Sequence, residues 1–145
     1  MSDKHKLSPR TAEEIKFIAE NQPPFGILTG TKITHATADR LEAEFIVRDE
    51  LTNRNGVLAG GALMGIADNL GGTATFISLP SGAKTTTIES KTNFFAAIPV
   101  GEKAYVECIP LHRGRTTMVW QTRISRADGK LAALITQTQL VMMPE

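Results

Sequence analysis

The stretch LTNRNGVLAGGALMGIADNLGGTAT, residues 51–75, decides how the chain folds. From Gly60 onward it is apolar with a helical period, yet Gly60, Gly61, Gly65, Gly71 and Gly72 run through it. An interior glycine weakens a helix by roughly 1 kcal/mol against alanine, so this pattern needs a physical reason. At about 100° per residue, Leu63, Ile66, Ala67, Leu70, Ala74 and Ile77 share one face, a stripe suited to packing on a sheet. Gly61, Gly65, Asp68 and Gly72 lie on the opposite side, within about 60° of one another. Such a stripe lets another backbone or a ligand approach the helix axis, and its contact zone holds the segment's single carboxylate, Asp68. The plainer alternative is a solvent-facing stripe with Asp68 as a solvated acid.

Two neighbouring features favour a ligand. Gly60 and Gly61 follow NRNGVLA at the helix start, where unpaired N–H groups and the positive end of the dipole suit an oxygen carrying negative charge, such as a reacting carbonyl. Further on, TTTIESKTNFF, residues 85–95, reads as a strand polar on both faces. Strict alternation puts Thr85, Thr87, Glu89 and Lys91 on one face and Thr86, Ser90 and Thr92 on the other. That pattern suits a wet interface or a site wall, and equally an exposed strand rich in threonine.

On the N-terminal side, TAEEIKFIAENQPPFG, residues 11–26, predicts a short helix. Thr11 caps it, Glu14 completes a capping box, Ile15, Ile18 and Ala19 share a face, and Pro23 and Pro24 stop it. GTKITHATADRLEAEFIVRDE, residues 30–50, predicts a hairpin turning near Ala38, Asp39 and Arg40. Beyond Pro80, Ser81 and Gly82, strands are expected at about 84–96, 103–112, 115–126 and 131–142, separated by IPVGE, HRGR and RADGK. Helix, two strands, long helix, four strands, all closely connected, gives an α+β class: one long helix against an antiparallel sheet of about six strands.

Bulk properties narrow the function. At 145 residues the chain is expected to form one domain, 1–145, with 1–25 as a helical lead-in. Sixteen Lys and Arg stand against fifteen Asp and Glu, net +1, with no block of like charge, which argues against nucleic-acid or membrane-surface binding. Cys108 is the only cysteine, so an internal disulfide and a metal site of paired cysteines are excluded. With no signal-like start and no apolar run of about 18 residues, a soluble cytoplasmic protein is expected. His5, His35 and His112 are scattered, and neither a Ser/His/Asp triad nor a phosphate loop nor a dinucleotide fingerprint is legible. No metal is expected. Met118 and Trp120 read as packing residues, and Glu89 as a surface or interface acid.

The order of elements and the segment NRNGVLAGGALMGIADN resemble the hotdog-fold acyl-CoA thioesterases, in particular the phenylacetate-degradation type. Their motif runs from an Asn to His-Gly-Gly and then to an Asp in mid-helix. The resemblance covers about residues 26–143, and the closing ADGKLAALITQTQLVMM agrees with it. It implies a hotdog fold, a helix wrapped by its sheet, with two subunits pairing sheet to sheet and the active site at the dimer interface. On that pattern Gly60 supplies the N–H that polarises the thioester carbonyl, and Asn53 assists it, an oxyanion site. Asp68, from the partner subunit, activates water or attacks the carbonyl, and Thr87 orients the carboxylate or its water. The histidine before the paired glycines is Ala59 here. A thiolate leaves readily without full protonation, with a cysteine-like pKa near ~8.5, so the chemistry does not require that ring.

The resulting expectation is an acyl-CoA thioesterase acting on an acyl- or aryl-CoA, a homodimer or dimer of dimers, with coenzyme A as part of the substrate and no separate cofactor. Arg113 and Arg115 in HRGR are candidates for the coenzyme A phosphates, beside the ordinary reading of a turn. A non-catalytic acyl-CoA-binding protein is the alternative that Ala59 suggests. Hydration or dehydration of an acyl thioester fits less well, since that chemistry ordinarily pairs a histidine with the acid. Phe25, Phe76, Phe94 and Phe95 are candidates for an apolar acyl pocket or for plain packing.

Overall fold

The computed structural model describes residues 9–145; His5 and the first residues of the lead-in lie outside the described residues. Helix α1 spans Ala12–Glu20 and starts as its sequence predicts: Glu14 N–H donates to Thr11 Oγ1 at 3.2 Å and Thr11 N–H to Glu14 Oε2 at 2.7 Å. Pro23 and Pro24 do more than stop it. Pro24 opens a second short helix, α2, at Pro24–Leu28, because a proline at the first helical position gives up an N–H that would be unpaired anyway. The first strand, β1 (Lys32–Ala36), therefore begins only after that turn and pairs with β2 (Leu41–Ile46) in the expected hairpin.

The long helix α3 runs from Gly60 to Ser78, and its predicted core stripe is buried: Leu63, Ile66, Ala67, Leu70, Ala74 and Ile77 are all at most 4% exposed. Four strands follow, β3 (Lys84–Phe94), β4 (Lys103–Arg113), β5 (Thr117–Arg126) and β6 (Leu131–Met142). The β5–β6 turn reverses at Gly129, whose φ of +85° a side chain would resist. All six form one antiparallel sheet in the order β1-β2-β4-β5-β6-β3, with α3 packed across its buried face. Trp120 and Ile124 of β5, Ile135 of β6 and Phe45 of β2 meet the helix stripe in one core. The fold is the hotdog architecture that the element order suggested. Strand β3 ends the sheet, so its outer edge has no neighbour among the described residues.

Strand β3 does not keep strict alternation. Thr87 pairs with Gln139 but Glu89 pairs with Thr138, so Ile88 is an extra residue, a bulge. The inward face is consequently Thr85, Thr87, Ser90, Thr92 and Phe94, opposite the buried Val141, Gln139, Gln137, Ile135 and Ala133, while Glu89 and Lys91 turn outward. The expectation that Glu89 and Lys91 share a face with Thr87 is thus corrected: one inserted residue flips everything beyond it.

The helix glycines divide by neighbour. A Cβ on Gly71 would overlap the carboxamide of the buried Gln137, so that side chain sits directly on the helix there. A Cβ on Gly65 would lie 2.8 Å from the Phe25 ring of α2, so the lead-in covers that part of the stripe. A Cβ on Gly61 or Gly72 would meet no side chain or neighbouring element within 4 Å among the described residues.

Candidate active site

The predicted residues fall into two cavities that share no lining residue. The larger, about 470 Å³, lies between α3 and β3: Asp68, Asn69, Gly72, Thr73 and Phe76 form one wall, Thr85, Thr86 and Thr87 with Gln139 the other, and Ile18 and Pro23 close it from the lead-in. Asp68 is half-buried and projects from mid-helix toward the inward face of β3. There the Thr87 hydroxyl donates to its Oδ1 at 2.7 Å. The Ile88 bulge sits immediately after Thr87 and leaves its side chain on the helix side while the strand beyond changes phase. The Thr87 hydroxyl also accepts from Gln139 Nε2 at 2.6 Å.

The second cavity, about 330 Å³, opens at the start of α3 and is lined by Asn53, Gly60, Leu63 and Phe94 with its following loop. Ala59 occupies the helix N-cap without a side-chain cap, and the first helical bond runs from Leu63 N–H to Ala59 O, so the amides of Gly60, Gly61 and Ala62 precede the ladder. Asn53 Oδ1 accepts from Asn55 N–H at 2.9 Å, which fixes the carboxamide and leaves its Nδ2 as the free donor. Loop and helix start are tied together by Ala59 N–H donating to Leu51 O at 2.8 Å.

Of the candidate phenylalanines, Phe76 lines the Asp68 cavity, Phe94 and Phe95 the Gly60 cavity, and Phe25 packs over Gly65. Arg113 lines neither cavity: its guanidinium donates to Ala38 O at 2.8 Å and to Asp39 Oδ1 at 2.7 Å, pinning the β1–β2 turn. Arg115 is exposed and away from both. His35 and His112 are exposed, and no His, Cys, Asp and Glu cluster able to hold a metal exists among the described residues. Cys108 is fully buried in the core, where loss of solvation pushes its thiol up to about 12 against a weaker pull from Thr122, so it is no nucleophile.

A family model described as the thioesterase superfamily matches residues 55–133. The chain belongs to that superfamily. The match begins just after Asn53 and takes in the whole of α3, β3, β4 and β5 and the first three residues of β6. Among relatives of this thioesterase-superfamily chain is the 1,4-dihydroxy-2-naphthoyl-CoA hydrolase of Escherichia coli, 30% identical over 69% of this chain and 73% of its own. In structure the chain is similar to a thioesterase of Haemophilus influenzae, with a TM-score of 0.81 at 24% identity over 94% of each. It is also similar to a hypothetical thioesterase protein of Streptococcus pneumoniae solved with coenzyme A, with a TM-score of 0.76 at 20% identity over 93% and 99%. No helix among the described residues is long and apolar enough to cross a membrane.

Sequence reasoning did not single out Gln139. A signal existed: in ITQTQLV the inward positions run Ile135, Gln137, Gln139, Val141, and two carboxamides on a core-facing strand need partners worth looking for.

Proposed function

We propose that the protein hydrolyses the thioester of an acyl- or aryl-coenzyme A at a site shared between two copies of the chain. The observation that carries this reading is the Asp68 carboxylate held at 2.7 Å by Thr87 on the wall of a cavity large enough for an acyl group. Asp68 takes a proton from water as the oxygen attacks the carbonyl carbon. The Gly60 N–H and the Asn53 Nδ2 receive the charge that develops on the carbonyl oxygen. The tetrahedral adduct collapses with C–S cleavage, the acid and the thiol leave, and the proton held by Asp68 is returned to the thiolate.

Helix geometry supports two chains. Gly60 and Asp68 are eight residues apart on α3, so their backbones are separated by about 12 Å of axial rise. A carbonyl oxygen on Gly60 N–H would leave its carbon out of reach of a water held by the same chain's Asp68. Asp68 of one copy and Gly60 with Asn53 of another meet that requirement, and the open edge of β3 and the uncovered Gly61 and Gly72 offer the surface for it. The relative that hydrolyses a naphthoyl-CoA and the neighbour solved with coenzyme A support the substrate class. The absence of a ring at Ala59 favours one rival, a coenzyme A ester-binding protein without turnover.

Thiol release from a panel of aryl and straight-chain acyl-CoAs separates the two. Turnover that drops by about two orders of magnitude or more in Asp68→Asn and Asp68→Ala is the expected outcome for loss of a general base. Binding of the esters with no turnover by the unaltered protein would sink the hydrolase reading and leave the binding protein.

A further inference from the structure

Gln139 lies on the buried face of β6, 1% exposed, and its carboxamide has a polar neighbour at each end. Nε2 is 2.6 Å from Thr87 Oγ1, and Oε1 is 3.0 Å from Thr85 Oγ1. Thr87 Oγ1 is in turn 2.7 Å from Asp68 Oδ1, the only hydrogen bond to that carboxylate among the described residues. Counting protons sets the directions. An amide nitrogen only donates, a carboxylate only accepts, and a hydroxyl carries one proton. Thr87 therefore accepts from Gln139 and gives its own proton to Asp68 Oδ1.

The reversed amide shows what this orientation achieves. With Oε1 toward Thr87, the hydroxyl proton would go to the amide, and Asp68 Oδ1 would face a bare oxygen at hydrogen-bond distance. The Thr85 end tolerates either orientation, because the Thr85 hydroxyl can donate instead to Leu140 O at 2.9 Å. The charge on Asp68 is what selects the first orientation, and the buried amide in return keeps the threonine proton on the carboxylate.

We propose that Gln139 is a positioning residue: its N–H sets the direction of the Thr87 hydroxyl, which ties Asp68 Oδ1 and leaves Oδ2 as the oxygen presented to the cavity. The hydrogen-bond direction stands on its own, whereas its consequence for turnover rests on the thioesterase reading above. The catalytic arm compares Gln139→Met, Thr87→Val and the double variant on a coenzyme A ester that the unaltered protein turns over. Gln139→Met is expected to lower kcat roughly tenfold with KM within about twofold, and to cost less than about twofold more when added to Thr87→Val, since its effect passes through that hydroxyl. Losses that multiply, or a change confined to KM, would overturn the proposal.

The second arm needs no turnover and no change at Gln139. In the ¹H–¹⁵N spectrum, the Gln139 side-chain amide is expected to move in both Thr87→Val and Asp68→Asn. An amide resonance that stays in place in Thr87→Val overturns the proposal whatever the kinetics. An unaltered protein that hydrolyses no ester of the panel overturns the thioesterase reading alone, and the amide spectrum still decides Gln139.

Discussion

Asp68 was conspicuous in the sequence because it is the one charge on a stripe of glycines, and the structure gives it a hydroxyl partner from a distant strand. Thr87→Val keeps the shape of that partner and removes its proton, so kcat should fall by roughly tenfold, and the buried Gln139 N–H left without its acceptor should cost about 1–3 kcal/mol of stability. Steady-state kinetics alongside thermal unfolding checks both. Cys108 shows the opposite case, a reactive residue type made inert by burial. Its native thiol is pushed from the ordinary 9.0 up to about 12, so the folded chain keeps a proton that the unfolded chain releases as pH rises past 9.0. The stabilisation is complete below that value and is lost progressively toward pH 12. Chemical denaturation between pH 8 and about 11 should show the decline, and Cys108→Ala should flatten it.

At the scale of the element, α3 reconciles a buried stripe with five glycines because its sides meet different neighbours. The Leu70 side chain lies at the centre of the core, 0% exposed, and Leu70→Ala should destabilise by about 2–5 kcal/mol through the cavity it leaves. Gly71→Ala should cost about 1–3 kcal/mol, because the added methyl drives into Gln137 on a rigid strand. Gly72→Ala meets no side chain or neighbouring element among the described residues and should raise the stability of the fold by up to about 1 kcal/mol while narrowing the Asp68 cavity. Urea unfolding of the three variants orders them. The core stripe was legible from period alone, whereas the separate neighbours of Gly65 and Gly71 were not, since Phe25 and Gln137 lie far away in sequence. Strand β3 adds a second lesson. Its bulge at Ile88 has no marker in TTTIESK, and so strict alternation assigned Glu89 and Lys91 to the wrong face.

For the whole molecule, the separation of Gly60 from Asp68 along one helix makes the proposed site a property of a pair of chains. Mixing inactive Asp68→Asn protein with inactive Asn53→Ala protein, after dissociation and reassociation, should restore about a quarter of the parent's activity, because half of the mixed dimers' sites draw both intact residues. No recovery, with exchange of subunits verified by mass, would place both groups in one chain. Sedimentation of the unaltered protein should accordingly give at least the mass of a dimer. The Arg113 side chain, pinned to Ala38 and Asp39, contributes to the hairpin rather than to either cavity, so Arg113→Ala should lower stability with little change in KM.

Six strands and the long helix in their order, the antiparallel sheet, the buried stripe from Leu63 to Ile77 and the prominence of Asp68 could all be read from the chain alone, because local periodicity, turn residues and caps act over a few residues; α2 could not. The tertiary structure alone decided the partners: Thr87 for Asp68, Gln139 for Thr87, Phe25 for Gly65, Gln137 for Gly71 and Asp39 for Arg113. Those contacts join residues nineteen to seventy-four positions apart where the separation is set by hydrogen bonds, and their register depends on a single inserted residue in β3. Side-chain period constrains which face a residue takes, but only the packed sheet and helix determine what stands across from it.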